Sequence, residues 1–284
     1  MLTDYHLHLR PDEAHDPPFE RWFTEGNVEL YMGAAAAVGI EELGVSEHVY
    51  RFRQSLELWD HPFWHRQAQD DLDAYCEFVR STPLRLGIEL DYIPGAEEPT
   101  EQMLSARDFD YVVGSVHFIG DGAVDMEEYG VWAREQDPDV VWSRYFEAIA
   151  RAARSGLFDI LAHPDLVKVW GVDRPGPGRD PRHYYEQAVE AIAESGIAVE
   201  LSTAGLRKPV GEIYPAPAFA RMCADAGAPF ALSSDAHAPQ QVGYAYEQAL
   251  ALLGELGVGE ICVFERRRRR LEPLGAGESE RIES

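Results

Sequence analysis

Residues 140–165 read VVWSRYFEAIARAARSGLFDILAHPD, and this run decides the fold. Over 140–154 the apolar positions recur at helical spacing. Ser155-Gly156 then reads as a helix stop, because glycine accepts the left-handed backbone that closes many helices. Residues 158–163 follow as a short apolar strand ending on a histidine. The unit recurs along the chain. Other strand candidates are 2–8, 43–48, 84–92, 111–118, 197–203 and 230–234, with 260–265 as an eighth. Helix candidates are 28–38, 72–80, 184–194 and 218–226, and Ser195-Gly196 and Ala226-Gly227 repeat the stop. Alternation of this kind predicts an α/β domain whose parallel strands close into a barrel.

No repeat or linker divides the chain, so residues 1–265 are expected to form one barrel domain and 266–284 a basic, then polar, tail. Two stretches fit the alternation poorly. Residues 51–66, with Phe52, Trp59, Phe63 and Trp64, and the Pro/Gly-rich 172–181 are expected to be loops over a barrel end.

Composition narrows the function classes. No apolar run approaches the roughly 20 residues that span a bilayer, and Met1-Leu2-Thr3-Asp4-Tyr5-His6 lacks the profile of a secretory signal. Cys76, Cys223 and Cys262 are isolated, which suits a reducing, cytoplasmic setting better than a disulfide framework. Fifty acidic against 25 basic residues give a net charge of −25, which disfavours nucleic-acid partners. The run Arg266 to Arg270 is the local exception and reads as a solvated strand or turn. A small-molecule substrate remains, with no membrane partner; the oligomeric state is not legible.

Chemistry gathers at the strand ends. His6 and His8 form an HxH pair after Asp4, and residues two apart on a strand share a face. His48 closes the second strand, Glu89 lies late in the third, and His117 and His163 end the fourth and fifth. Asp235 and His237 end the seventh as a DxH. A lone histidine at a strand end is more often structural than ligating. In a parallel barrel, however, all C-terminal strand ends share one mouth, which makes a joint metal site the economical explanation. Imidazole and carboxylate without thiolate suit Zn, Mn or Fe. There are too many donors for one tetrahedral ion, and a bridging carboxylate suits two ions about 3.5–4 Å apart, the arrangement of two-metal hydrolases.

These residues resemble the polymerase and histidinol phosphatase (PHP) family over 6–237. The runs at 110–118 (DYVVGSVHF), 156–166 (GLFDILAHPDL), 203–209 (TAGLRKP) and 212–215 (EIYP) are similar to its stand-alone histidinol-phosphate phosphatases. The resemblance implies a distorted TIM-like (β/α)7 barrel with two to three divalent ions. It would give the first ion to His6, His8, Glu89 and Asp235, and the second to Glu89, His117 and His163. The third would go to His15, His48 and His237. His15 stands in Glu13-Ala14-His15, where those enzymes usually carry Cys-Gly-His, so the third site departs from the pattern. The implied reaction is hydrolysis of L-histidinol phosphate in histidine biosynthesis, with His237 at the reacting centre and Arg207 and Lys208 taking the phosphate. Arg10 is a weaker phosphate candidate. Asp165 could orient a ligand, meet the substrate amine or protonate the leaving alkoxide, and Asp4 is similarly open. His61, His65 and His183 stay outside the set. The rivals are another small phosphate ester as substrate, a non-catalytic metal-binding module, and an amide hydrolase. The last typically needs a carboxylated lysine, and Lys168 and Lys208 both lie outside strand interiors.

Overall fold

A computed structural model describes residues 1–12 and 19–274. Among these, the strands are β1 (Thr3–Asp4), β2 (Glu42–Val45), β3 (Arg85–Leu86), β4 (Glu89–Asp91), β5 (Val113–Ser115), β6 (Phe118–Ile119), β7 (Gly122–Ala123), β8 (Ile160–Leu161), β9 (Ala198–Ser202), β10 (Phe230–Ser233), β11 (Glu260–Glu265) and β12 (Arg268–Pro273). The helices are α1 (Phe19–Trp22), α2 (Glu25–Ala37), α3 (Pro62–Gln67), α4 (Leu72–Arg80), α5 (Glu97–Ser105), α6 (Pro138–Arg154), α7 (Arg182–Ser195), α8 (Pro217–Asp225) and α9 (Tyr246–Leu256).

Two parallel ladders, β1-β2-β3 and β10-β9-β8-β5-β4, make up the barrel wall. Two isolated parallel bridges join them, His48 with Glu89 and Leu7 with Ala236. Gly87 N donates to Val45 O (2.8 Å) and Glu89 N to Glu47 O (3.0 Å), so β3 and β4 occupy one interrupted strand position. The wall therefore closes on seven positions, the distorted (β/α)7 barrel expected. Its ladders are only a few residues long, and bulky side chains fill the lumen. A Cβ at Gly44 or Gly87 would lie 2.3 Å from the ring or hydroxyl of Tyr111, which occupies that space.

Helix α6 shows how local chemistry sets the elements. Asp137 caps it, its carboxylate accepting from Asp139 N (2.9 Å), and Pro138 fits the first turn, where no N–H is needed. Val141, Trp142, Tyr145, Phe146, Ile149 and Ala153 face the core, each large one contributing about 1.5–3 kcal/mol by leaving water. The helix ends at Ser155, and Gly156 follows with φ 73°. Tyr185 of α7 stacks on Phe219 of α8 (4.6 Å) and meets Phe146 edge-on (5.1 Å), so the helical layer is continuous around that side.

Several expectations change. Residues 51–66 are not one loop: Val49–Arg51 and Arg53–Glu57 form 3-10 turns, followed by α3. Helices α5 and α9 were not foreseen. Strand β11 lies outside the ring of seven and pairs antiparallel with β12, with Glu265 opposite Arg268. The tail expected from residue 266 thus begins as the turn Arg266–Arg267, at φ 50° and 59°, and the return strand β12. Arg267 anchors this hairpin on Asp159 (Nε to Oδ2 2.6 Å) and both turn amides donate to Asp110. Cys262, Val263 and Phe264 then pack with Tyr5, Tyr111, Val113, Ile160, Ala162, Ala198 and Ala231, closing the barrel floor. Residues 275–284 of the expected tail lie outside the described residues.

Candidate metal centre

The short first strand is followed by His6 and His8, both buried and both beside the seam that joins residue 7 to Ala236. His48 and Glu89 face each other across the other seam. His163 and Asp235 follow β8 and β10 with φ of 23° and 49°. Non-glycine residues pay for such backbone only where the surroundings hold them, and such positions cluster at functional sites. The end of each strand thus turns its donor into the barrel mouth.

Glu89 stands at the centre, fully buried. Its Oε2 lies 3.2 Å from His6 Nε2, 3.5 Å from His8 Nε2 and 2.5 Å from His48 Nδ1. Its Oε1 faces the other way, 3.2 Å from His163 Nε2 and 3.4 Å from His117 Nε2, and accepts from Ser115 Oγ (2.5 Å). Asp235 Oδ1 is 3.3 Å from His8 Nε2 and 3.6 Å from His6 Nε2. One carboxylate therefore addresses two groups of donors, as a bridge between ions would. The donor atoms of His6, His8 and Asp235 lie within 4.8 Å of one another, as do those of His6, Glu89 and His163, and those of His8, His48 and His237. The last grouping brings His8 to the ring pair expected with His15. His15 itself lies outside the described residues. Asp12 is the described acid beside this third group, its Oδ1 2.9 Å from His237 Nε2 and 3.6 Å from His48 Nε2.

The donor chemistry fits metal ions. His6 Nε2, His8 Nδ1 and Nε2, His48 Nδ1, Glu89 Oε2, His163 Nδ1, Asp235 Oδ1 and His237 Nε2 are buried without a hydrogen-bond partner. Buried polar atoms are rarely left so, and those that converge around Glu89 and Asp235 (His6 Nε2, His8 Nε2, His48 Nδ1) call for a cation. The field agrees. Burial opposes charge on His6, yet Glu89, Glu200 and Asp235 outweigh it and raise its pKa well above the usual range. Burial likewise opposes charge on His117, but Asp91 and Glu89 push it up to about 10. Burial would raise Glu89, but His48, His6 and His117 hold it well below the carboxylate range.

Three orienting carboxylates escaped the sequence reading. Glu200 Oε1 lies 2.7 Å from His6 Nδ1, and its Oε2 accepts from His163 N (2.6 Å). Asp91 Oδ1 is 2.9 Å from His117 Nδ1. Glu47, which approaches His8 Nδ1 at 3.8 Å, accepts from Leu9 N and pairs with Arg51. Such partners fix ring orientation and the nitrogen left for a metal. The one available signal was an acid inside an apolar strand, as at Val199-Glu200-Leu201.

A cavity of about 520 Å³ opens over the cluster, lined by His48, Glu89, His117, His163, Asp235 and His237, by the cations Arg10, Arg51, Arg66 and Lys208, and by Phe63, Phe118 and Trp170. Arg207 and Asp165 do not line it. Arg207 Nη2 donates to the carbonyls of Ser234 (2.8 Å) and Asp235 (2.9 Å), bracing the DxH turn. Asp165 is buried and accepts from Ala216 N (2.7 Å), with Lys168 Nζ at 3.0 Å. Asp4 accepts from Ser234 N (3.0 Å) on the other side of that turn. His61 stacks on Trp59, while His65 and His183 are exposed and remote from the cluster.

Comparison with known proteins points the same way. Residues 23–204 match the PHP domain model. A Deinococcus radiodurans protein named probable histidinol-phosphatase is 35% identical over 280 residues, 96% of this chain and 99% of that one. A Bacillus subtilis histidinol-phosphatase is 25% identical over 87% of this chain and 97% of its own. Among solved structures, the Lactococcus lactis histidinol phosphate phosphatase, complexed with zinc, L-histidinol and phosphate, superposes with TM-score 0.73. It is 19% identical and covers 95% of this chain and 98% of its own.

Proposed function

The chain belongs to the PHP family, and from that premise we propose that it is a metal-dependent phosphomonoesterase hydrolysing L-histidinol phosphate to L-histidinol and phosphate. The observation that carries the reading is the set of buried, partnerless imidazole and carboxylate atoms divided by the two oxygens of Glu89. His6, His8, Glu89 and Asp235 would hold one ion, and Glu89, His117 and His163 a second. His48 and His237 would hold a third with His15, Asp12 standing close by. Zinc, the ion found with the Lactococcus relative, suits these donors, and manganese or iron suits them as well. Divalent ions there would supply an activated water and neutralise charge developing on the phosphoryl oxygens.

The chain's own groups do the rest. Glu200, Asp91 and Glu47 hold the rings in place. Lys208, which lines the cavity, is the cation assigned to phosphate, while Arg207 braces Asp235 through Nη2 and keeps a buried Nη1 without a partner. Asp165 does not line the cavity and gives its Oδ2 to Ala216 and Lys168, so water is the proton source assigned to the departing alkoxide. Among the described residues no helix is long and apolar enough to cross a membrane, and the three cysteines are free, in keeping with a cytoplasmic enzyme of histidine biosynthesis.

Phosphate release from L-histidinol phosphate, AMP, p-nitrophenyl phosphate and phosphotyrosine tests the proposal, with metal content assayed on the same sample. Preference for histidinol phosphate with two to three ions per chain is expected. Metal-free protein with full activity would end the reading; metal-dependent turnover without that preference would move it to another phosphate ester.

A further inference from the structure

The lining of the cavity carries acids as well as aromatics. Asp125, Glu127 and Glu128 all line it. Two of the three are already neutralised: Glu127 pairs with Arg174 (2.7 Å), and Glu128 takes both nitrogens of Arg66 at 2.8 Å. Asp125 differs. Among the described residues no cation or hydrogen-bond donor is within bonding distance of it, and its Oδ1 is buried with no partner. Tyr214, on the same cavity, likewise has a buried hydroxyl without a partner.

The position of Asp125 relative to the ions is fixed by the backbone. Val124 N donates to the carbonyl of His117 (2.9 Å) and Val124 O accepts from Trp170 Nε1 (2.7 Å). Asp125 is thus held one residue from a contact with a metal-facing histidine, on a segment tied down at both its N–H and its C=O. The buried Oδ1 of that carboxylate has no hydrogen-bond donor, and a ligand N–H would complete it.

We propose that Asp125, helped by the Tyr214 hydroxyl, is the specificity residue that binds the ammonium group of an amino-alcohol phosphate. The inference rests on the substrate reading above and deepens it. In such an ester the amine sits on the carbon next to the one bearing the ester oxygen, so it must lie close to the phosphate and therefore close to the ions. Asp125, held beside His117, is at that near wall. An ammonium is charged throughout neutral pH, whereas an imidazole is mostly uncharged there, so the carboxylate matches the amine rather than the ring. The ring would then extend toward Phe63, Phe118 and Trp170. Asp165, the other acid that could have met the amine, gives its Oδ2 to Lys168 and Ala216 and, unlike Asp125, does not line the cavity.

The test compares histidinol phosphate with its deamino analogue on the holoenzyme and on Asp125→Asn and Asp125→Glu, with metal content matched. In the wild type, removing the amine should lower kcat/KM about 10–100-fold, as expected when a charged hydrogen bond is lost. In Asp125→Asn that ratio should collapse towards one, chiefly through KM, and Asp125→Glu should recover part of it. A merely structural role would lower both esters alike and keep the ratio, which overturns the inference. Wild-type selectivity for the amine that survives in Asp125→Asn also overturns it, while leaving the substrate reading intact. A wild type that turns over other phosphate esters but ignores the amine refutes the substrate reading itself.

Discussion

Replacing Glu200 by glutamine should loosen the metal centre while leaving the barrel standing. Glu200 is 1% exposed, with one oxygen 2.7 Å from His6 Nδ1 and the other accepting from His163 N at 2.6 Å. Glutamine keeps the shape but offers only one acceptor end. If its oxygen stays on His163 N, its amide NH2 donates to His6 Nδ1, and the ring proton must move to Nε2, the atom facing Glu89 and Asp235. If the oxygen turns to His6, the amide NH2 opposes a backbone N–H. Either arrangement loses one charge-assisted hydrogen bond in a dry site, about 1.5–3 kcal/mol. Loss of an outer partner of a metal-bound histidine costs about 10–100-fold in affinity, or about 1.4–2.7 kcal/mol, so the two routes agree. Titrating metal-free protein with buffered zinc, followed by calorimetry and by activity, reads the dissociation constant directly. Saturating zinc should restore most turnover. An affinity within about twofold of wild type would show that Glu200 does not orient His6, and the argument for all three supporting carboxylates would fail with it.

Glu89→Gln should cut activity by more than about 100-fold, beyond the cost of an outer partner, with fewer ions per chain by elemental analysis; unchanged metal content would refute its bridging place. Gly87→Ala drives a Cβ to 2.3 Å from the Tyr111 ring, and overpacking of about 1–3 kcal/mol should lower the melting temperature by several degrees; an unaltered melt would contradict it. Glu47 is pushed down to about 2, because the Arg51 charge and the contact with His8 outweigh burial. Its ionisation therefore stabilises the fold above the unfolded pKa near 4.5, and up to about 3 kcal/mol is lost as pH falls from there towards 2. Arg51→Met should abolish that acid loss, and urea midpoints between pH 3 and 7 that run parallel in the two proteins would rule it out.

The clustering of the candidate donors was legible because parallel strands deliver their C-terminal ends to one place, so separate histidines could be read as one set. Which side chains orient them was less legible. Glu200 is far from His6 in sequence, and only an acid within an apolar strand hinted at it. Arg207 was expected to meet phosphate as a cation after a strand, and its spacing does not reveal that Nη2 is given to the carbonyls of the bent Ser234-Asp235 segment. Asp165 was open for the same reason: its spacing from His163 does not reveal that a buried amide and Lys168 take its carboxylate. Helix α5 was missed because Glu97, Glu98, Pro99 and Thr100 hide its short apolar face of Met103 and Leu104. The helical turn at 62–67 was masked by aromatic residues that pack among themselves rather than on one stripe.

The hairpin of β11 and β12 also bears on how the molecule is made. Tyr5 and Phe264, whose rings meet edge-on at 5.8 Å, are separated by almost the whole barrel in sequence. Until Cys262, Val263 and Phe264 emerge, the seven-stranded wall has no floor, and the aromatic rings inside it face water. Final consolidation of the barrel therefore waits for β11, and a chain cut short before it would present an open apolar well to its neighbours.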